Sequence, residues 1–411
     1  SEMCIRDRGS PEAQSPFGDV QRISIFPALS WNGLHGSGQP PPFPLCAPGS
    51  SLWYNARAAL WQGLKTLGLK PGQRVLVPAY TCGSEIDVML AFGLELDWYP
   101  ITPALGVDLD QLESAYQDGT RALFIIHYFG FPQPLDDILS FTRRHGLLLI
   151  EDTAHGLFSC DAIGRPLGSR GDASIFSLYK TLPVPDGGVL VAKAALGETS
   201  PMTGKKPALR SRMGQMKLLL ERSAGHRFPA TTNTFKRYLS EPLTRVLKSS
   251  TAGEQSAAGS ESSAAAAAQR HTFDLRRGDW EMSGVARWVL DRLPKDTIAH
   301  RRRANYLRFE SRLVSGPRTR PLFSSLPEGC CPLMFPLLQL EGGRAMRSWL
   351  TRIGIECHGF GFDNASIPME RFRLEAELKA QVACLPIHQD LDESQIDYMA
   401  NAVNRWNRRA P

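Results

Sequence analysis

Between Trp53 and Val191 short apolar runs alternate with amphipathic stretches, with only a few residues separating each from the next. That alternation restricts the fold more than any other feature of the chain. Arg74-Val75-Leu76-Val77 reads as a buried strand after a Pro71-Gly72 turn, and 94–99 and 122–126 read as two more. The spacing of Ala56, Ala59, Leu60, Leu64 and Leu67 predicts a helix over 54–67, closed by Gly68 in a left-handed cap. Ser84 with Asp87 predicts a capping box for a helix over 85–92 that ends at Gly93. Helices over 109–116 and 135–145 follow, the second stopped by Gly146. Strands and helices joined this closely demand a parallel α/β sheet covered on both faces. Ligands of such sheets bind beyond the carboxyl ends of the strands. Thr81, His127, Asp152 and Ser177 all fall there.

The chain's 411 residues leave room for a second domain. Residues 1–50 read as an extended Pro/Gly-rich arm, with PPPFP at 40–44, and the first ~15 are set aside as non-native. The large domain is expected over 51–248. It includes a basic insertion at 200–248 with helices over 213–221 and 235–247. Residues 249–272, rich in Ser, Ala and Gly, read as a flexible loop. Residues 273–411 then form a smaller α+β domain, with helices over 285–293, 300–313, 345–353 and 396–406 and strands over 334–340 and 383–387.

Bulk charge excludes some functions. A formal charge of +6, with acids and bases mixed and no aromatics threaded through the basic tract Lys205-Lys206, Arg210 and Arg212, argues against nucleic acid. That tract reads as a solvated face or as a contact for an anionic substrate. Eight cysteines without a CxxC pair argue against zinc and against a disulfide framework, so no metal site is expected. Reduced thiols, no membrane-length apolar run and no signal-peptide core point to a cytoplasmic protein away from membranes.

The chemistry concentrates in 147–188, which reads LLLIEDTAHGLFSC, DAIGRPLGSRGD and then ASIFSLYKTLPVPDGG. Two buried strands here deliver an Asp and a Lys to one sheet edge, an arrangement suited to an aldehyde cofactor bound as an imine. Pyridoxal 5′-phosphate (PLP) asks a protein for an imine lysine, an acid on the pyridine nitrogen, a phosphate cradle and a group packed on the ring. Lys180 supplies the first and Asp152 the second. Ser177 and the N–H groups at the start of the 54–67 helix supply the third. His155, three residues after Asp152, can pack against the ring or orient its hydroxyl. Singly, each has an ordinary structural role: a solvated lysine, a capping aspartate, a hydrogen-bonded histidine. Their order and spacing carry the signal.

The segments RVLVPAYTCGSEIDVMLAFGLELDWYPI, TRALFIIHYFGFPQPLDDI, LLLIEDTAH, GDASIFSLYK and DGGVLV resemble the DegT/DnrJ/EryC1/StrS family of PLP-dependent sugar aminotransferases. EMSGVARWVLDRL, RRRANYLRF, LTRIGIE and CLPIHQDLDESQIDYM continue the resemblance, whereas 200–272 lies outside it. The resemblance implies the fold type I, aspartate-aminotransferase-like architecture. It assigns Lys180 to the imine, Asp152 to the pyridine nitrogen, His155 to the ring side and Ser177 to the phosphate. Family members with histidine at the lysine position are dehydratases, so Lys180 implies transamination.

The resemblance also marks departures. The family's Ser-Gly-Thr phosphate turn corresponds to Asn55-Ala56-Arg57, where Arg57 can add a charged contact. Cys82 stands where an aromatic is common, which passes ring stacking to Tyr80 or His127. The step from Ser177 to Lys180 is shorter than the commonest family version. Asp279 takes the place of an Asn that family dimers send to the partner's phosphate. The implied reaction is ping-pong transfer of an amino group from a donor, glutamate by analogy, to a keto-sugar, nucleotide-linked, in a homodimer. The basic insertion and Arg301-Arg302-Arg303 are candidates for a diphosphate contact. Alternatives on the same fold are an amino-acid lyase, a transaminase for a non-sugar ketone, and a catalytically silent binding protein.

Overall fold

The computed structural model describes residues 22–30, 34, 40–193, 204–227, 273–314, 316–341, 343–361 and 366–408. The expected helix over 235–247, the loop over 249–272 and the first ~15 residues lie outside these.

A seven-stranded sheet runs in the order β1-β7-β6-β5-β4-β2-β3. Its strands are β1 (Ser50–Trp53), β2 (Arg74–Pro78), β3 (Glu95–Tyr99), β4 (Thr120–Ile126), β5 (Leu148–Asp152), β6 (Ala173–Ser177) and β7 (Gly188–Ala192). β3, β2, β4, β5 and β6 are parallel, while β7 pairs antiparallel with both β6 and β1. Register sets Ile126 beside Asp152, Asp152 beside Ile175, and Ser177 beside Gly188. The sheet therefore ends in a row of chemically usable residues. β5 and β6 are nearly all buried, which explains their continuous apolar runs.

Helices α1 (Ala56–Thr66), α2 (Ser84–Phe92), α3 (Leu109–Ala115) and α4 (Leu135–His145) lie where the periodicity put them. α4 shows why: Asp136 and Asp137 stand in its first turn, Arg143, Arg144 and His145 in its last, and Gly146 closes it at φ 64°. The expected capping box at α2 does not form. Gly83 takes the N-cap in the left-handed conformation with no side-chain cap, and the Glu85 carboxylate turns back to the Cys82 amide instead. The one-turn helix α5 (Leu178–Thr181) holds the lysine, and α6 (Leu209–Arg227) follows β7 after a gap.

Order also starts earlier than Trp53. Ile23 bridges Ile355, Ile23, Ile25 and Leu29 are buried, and β1 adds an edge strand that the Pro/Gly composition hid. Residues 280–282 close that edge, since Tyr54 N–H donates to Trp280 and Met282 N–H to Leu52. A second antiparallel sheet, β10-β9-β8, comprises β8 (Thr319–Pro321), β9 (Met334–Gln339) and β10 (Val382–Pro386). Helices Ile298–Arg312, Gly343–Arg352, Arg373–Gln381 and Glu393–Asn407 belong to this region, the last with a complete Asp392–Gln395 capping box. Among the described residues no helix is long and apolar enough to cross a membrane.

Candidate active site

A cavity of about 470 Å³ opens at the carboxyl ends of β5 and β6, the size of a small-ligand site. Its floor is Asp152 at the end of β5, Ser177 at the end of β6, and Lys180 from α5. One side is the first turn of α1, with Asn55, Ala56 and Arg57; the opposite side is the start of α2, with Cys82, Ser84 and Glu85.

Each group is held there by local structure. Asn55 caps α1, its side chain accepting the Ala58 N–H at 3.0 Å. Helix geometry leaves the amides of Ala56 and Arg57 without an intrahelical acceptor, so they can receive an anion. Gly188 brings this turn to the sheet: a Cβ there would meet the Asn55 carbonyl at 2.3 Å, so only glycine fits. The Gly187 N–H donates to the Tyr54 carbonyl at 2.8 Å and ties the turn down. The far end of α5 is fixed by Arg302 and Gln389, which both donate to the Thr181 carbonyl, at 3.3 and 3.1 Å. Arg302 also donates to Pro332 and Leu333, and Arg303 to Pro327 and Cys330. These two guanidiniums are therefore engaged in bracing backbone carbonyls, which corrects the expectation of a diphosphate contact. Arg301 is turned to a second cavity, with Leu29, Pro183 and Asp390.

Burial and neighbouring charges act together on the acid and the lysine of this cavity. Burial and the neighbouring Glu85 push the Asp152 carboxyl up to about 7, against the opposing pull of Lys180 and the Ala154 N–H. Burial alone would lower Lys180, but Tyr179, Cys82, Asp152 and Glu85 raise it above the ordinary lysine value. The Ser177 hydroxyl is buried with no hydrogen-bond partner, a polar group awaiting an acceptor.

Seven of the ten expected site residues line this cavity: Asn55, Ala56, Arg57, Cys82, Asp152, Ser177 and Lys180. Three do not. His155 lies a layer away, stacked on Phe129 at 5.6 Å, with its Nδ1 accepting the Phe129 N–H. Burial and Lys180 hold it well below the usual histidine value. Tyr80 packs against Tyr128 and Phe360 and donates to the Phe360 carbonyl. His127 is fully buried, its Nε2 2.8 Å from Glu151. Asp279 is tied to α1 of its own chain through Lys65 and Gln62, both at 2.8 Å.

Residues that went unread complete the walls: Phe26 from the arm, Tyr54, Tyr179, Asp186, and Gln215 and Leu219 from α6. Asp186 had a signal in the DGG turn. Its carboxylate accepts the Ser283 N–H and O–H at 2.9 and 2.6 Å and so couples that turn to the Gly284–Arg292 helix. Phe26 had none.

With this geometry in place the sequence comparison is decisive for the large sheet. Residues 53–198 match the DegT/DnrJ/EryC1/StrS aminotransferase family. The chain is 34% identical over 136 residues to the spore coat polysaccharide biosynthesis protein SpsC of Bacillus subtilis (strain 168), covering 32% of this chain and 35% of that protein. It is 34% identical over 156 residues to the L-glutamine:scyllo-inosose aminotransferase of Streptomyces griseus, covering 37% and 35%. The chain thus spans about a third of the length of these curated relatives. The aminotransferase TlmJ from Streptoalloteichus hindustanus superposes with a TM-score of 0.59 at 19% identity, covering 87% of this chain and 85% of that one. This likeness shows a common fold, the fold type I architecture of PLP-dependent aminotransferases. PLP is the cofactor of the family, and the residues present fit it: a lysine in the cavity floor, a buried acid, and an unpaired serine hydroxyl beside a free helix N-terminus.

Proposed function

We propose that this chain is a PLP-dependent aminotransferase acting on a sugar. It would take its amino group from an amino acid such as glutamate and pass it to a nucleotide-linked keto-sugar in two alternating half-reactions, as a cytoplasmic homodimer. One observation carries the reading: Lys180 from α5 and Asp152 from β5 line one cavity with the unpaired Ser177 hydroxyl and the first turn of α1.

When bound, PLP supplies an aldehyde and a protonated pyridine that withdraws electrons from the substrate carbon. Asp152 holds the proton at the pyridine nitrogen, a task suited to an acid whose proton affinity burial has raised. Lys180 Nζ would hold the aldehyde until a substrate amine displaces it, and as the freed amine would then move the proton on the substrate carbon. Ser177 Oγ and the Ala56 and Arg57 amides bind the phosphate, and the Arg57 guanidinium adds charge. Phe26, Val184 and Leu219 help exclude water from the cavity. Tyr54, Gln215 and Asp186 offer the polar contacts that would orient a sugar.

Purified protein loaded with PLP and freed of the excess should carry an imine absorption band distinct from free PLP, and Lys180→Ala should abolish it. Glutamate or glutamine should bleach it, and the bleached enzyme, freed of the donor and its keto acid, should recover it with an accepted keto-sugar from a panel of nucleotide keto-sugars. A protein that ignores PLP would sink this reading, and a band that no amino donor changes would remove the transaminase assignment.

A further inference from the structure

Glu85 is an acid in the cavity wall for which the mechanism above has no use. It sits in the first turn of α2 with only 4% of its surface exposed. Its Oε1 accepts the Cys82 N–H at 3.1 Å, and its Oε2 accepts the Cys82 S–H at 2.8 Å and the Ser84 O–H at 3.2 Å. Three donors at a helix N-terminus thus hold this carboxylate in one place. A buried charge without a cationic partner in contact is costly, so its location matters. Around it stand Asp152 from β5, Lys180 and Tyr179 from α5, Tyr128 from the end of β4, Arg57 from α1, and Cys82 from its own turn. His127 and His155 lie behind Asp152 and Lys180. Lys180, Arg57 and the two carboxylates of Asp152 and Glu85 therefore line one cavity.

We propose that Glu85 is a positioning residue for the ring-nitrogen acid: its carboxylate, clamped to the Cys82–Ser84 turn, supplies the negative charge that keeps a proton on the Asp152 side of the cavity. The proposal rests on the PLP reading above. It gives the second carboxylate a task that a simple helix cap would not need. A negative potential here raises the proton affinity of Asp152, of Lys180 and of any pyridine nitrogen docked against Asp152. It thereby widens the pH range over which the ring stays protonated. The same charge acts on Cys82, whose thiol burial and Glu85 push up to about 12.

The test compares native protein with Glu85→Gln, which removes the charge at constant shape, and Glu85→Asp, which retains it. In PLP-loaded protein, the pH midpoint of the cofactor's absorption change should fall by on the order of one pH unit in Glu85→Gln and return at least halfway in Glu85→Asp. In PLP-free protein carrying Cys4→Ser, Cys46→Ser and Cys160→Ser, Glu85→Gln should speed alkylation of Cys82 at pH 9 about tenfold. A midpoint that stays put while Cys82 quickens would overturn the proposal and leave the PLP reading standing. Equal loss of folding in both variants would overturn it too, by making Glu85 a structural cap. Native protein that binds no PLP would overturn both.

Discussion

On one face of β5 the Glu151 carboxylate is completely enclosed, accepting from the amides of Gly168, Arg170 and Gly171 and lying 2.8 Å from His127 Nε2. On the other face, one residue on, Asp152 receives the Ala154 N–H at 2.8 Å and looks into the cavity. Burial pushes both carboxyls up. At Glu151 the histidine and the backbone donors more than offset it and hold the acid below its ordinary value; at Asp152 Glu85 adds to it, and the value reaches about 7. Two adjacent buried acids thus differ because three amides and a histidine meet one, while the other has a single amide and the carboxylate of Glu85 near it. The satisfied acid shapes the Gly-rich excursion over 164–171, and the unsatisfied one is left for chemistry.

The sharpest way to break this contrast is to neutralise each acid in turn. Asp152→Asn should reduce turnover by about a thousandfold. PLP affinity should change less, because Ser177, Ala56 and Arg57 still hold the phosphate; turnover close to native would refute the assignment. Glu151→Gln should do the reverse. Urea unfolding should show a loss of about 3 kcal/mol, since a buried charged network loses its centre, while the spectrum of bound PLP stays unchanged.

A smaller effect separates the two by pH. Asp152 titrates higher in the folded than in the unfolded chain, so its contribution is complete below the usual carboxylate range near pH 4. It is lost as the pH rises through about 7. Glu151 titrates lower when folded, so its contribution is present above that range and is lost as the pH falls through the depressed value. PLP-free native protein should accordingly lose stability relative to Asp152→Asn as the pH rises from 5 to 8, a difference from which the opposing titration of His155 cancels. Asp152→Asn should stabilise it at pH 8 by roughly 1–2 kcal/mol. Thermal unfolding across that range reads the difference, and an unchanged pH dependence in Asp152→Asn would show that Asp152 is an ordinary acid.

Much of the fold was legible because the alternation is local. Each apolar run and each glycine stop, such as Gly93 and Gly146, marks its own element without help from distant residues. Asp152, Ser177 and Lys180 were legible for the same reason, as successive strand ends must share an edge. The capping box at Ser84 and Asp87 failed because two patterns competed for one turn, and the left-handed Gly83 with a back-turned Glu85 won. β1 was hidden since an edge strand beside a Pro-rich arm has no periodicity of its own.

The site's walls lay further out of reach. Gln215 and Leu219 arrive from α6, and Phe26 from the arm, with nothing in their own neighbourhoods to mark them. Arg302 looks like one of three surface arginines until the fold buries it against the carbonyls of Thr181, Pro332 and Leu333. The sequence by itself determined the parallel sheet, the order of its strand ends and the lysine and acid that meet there, because these follow from period and chain order. Only the tertiary structure decided which of two neighbouring acids would be satisfied, which arginine would become a brace, and that Glu85 would face the cavity. Those outcomes depend on donors and charges brought together from distant segments, and no local pattern records them.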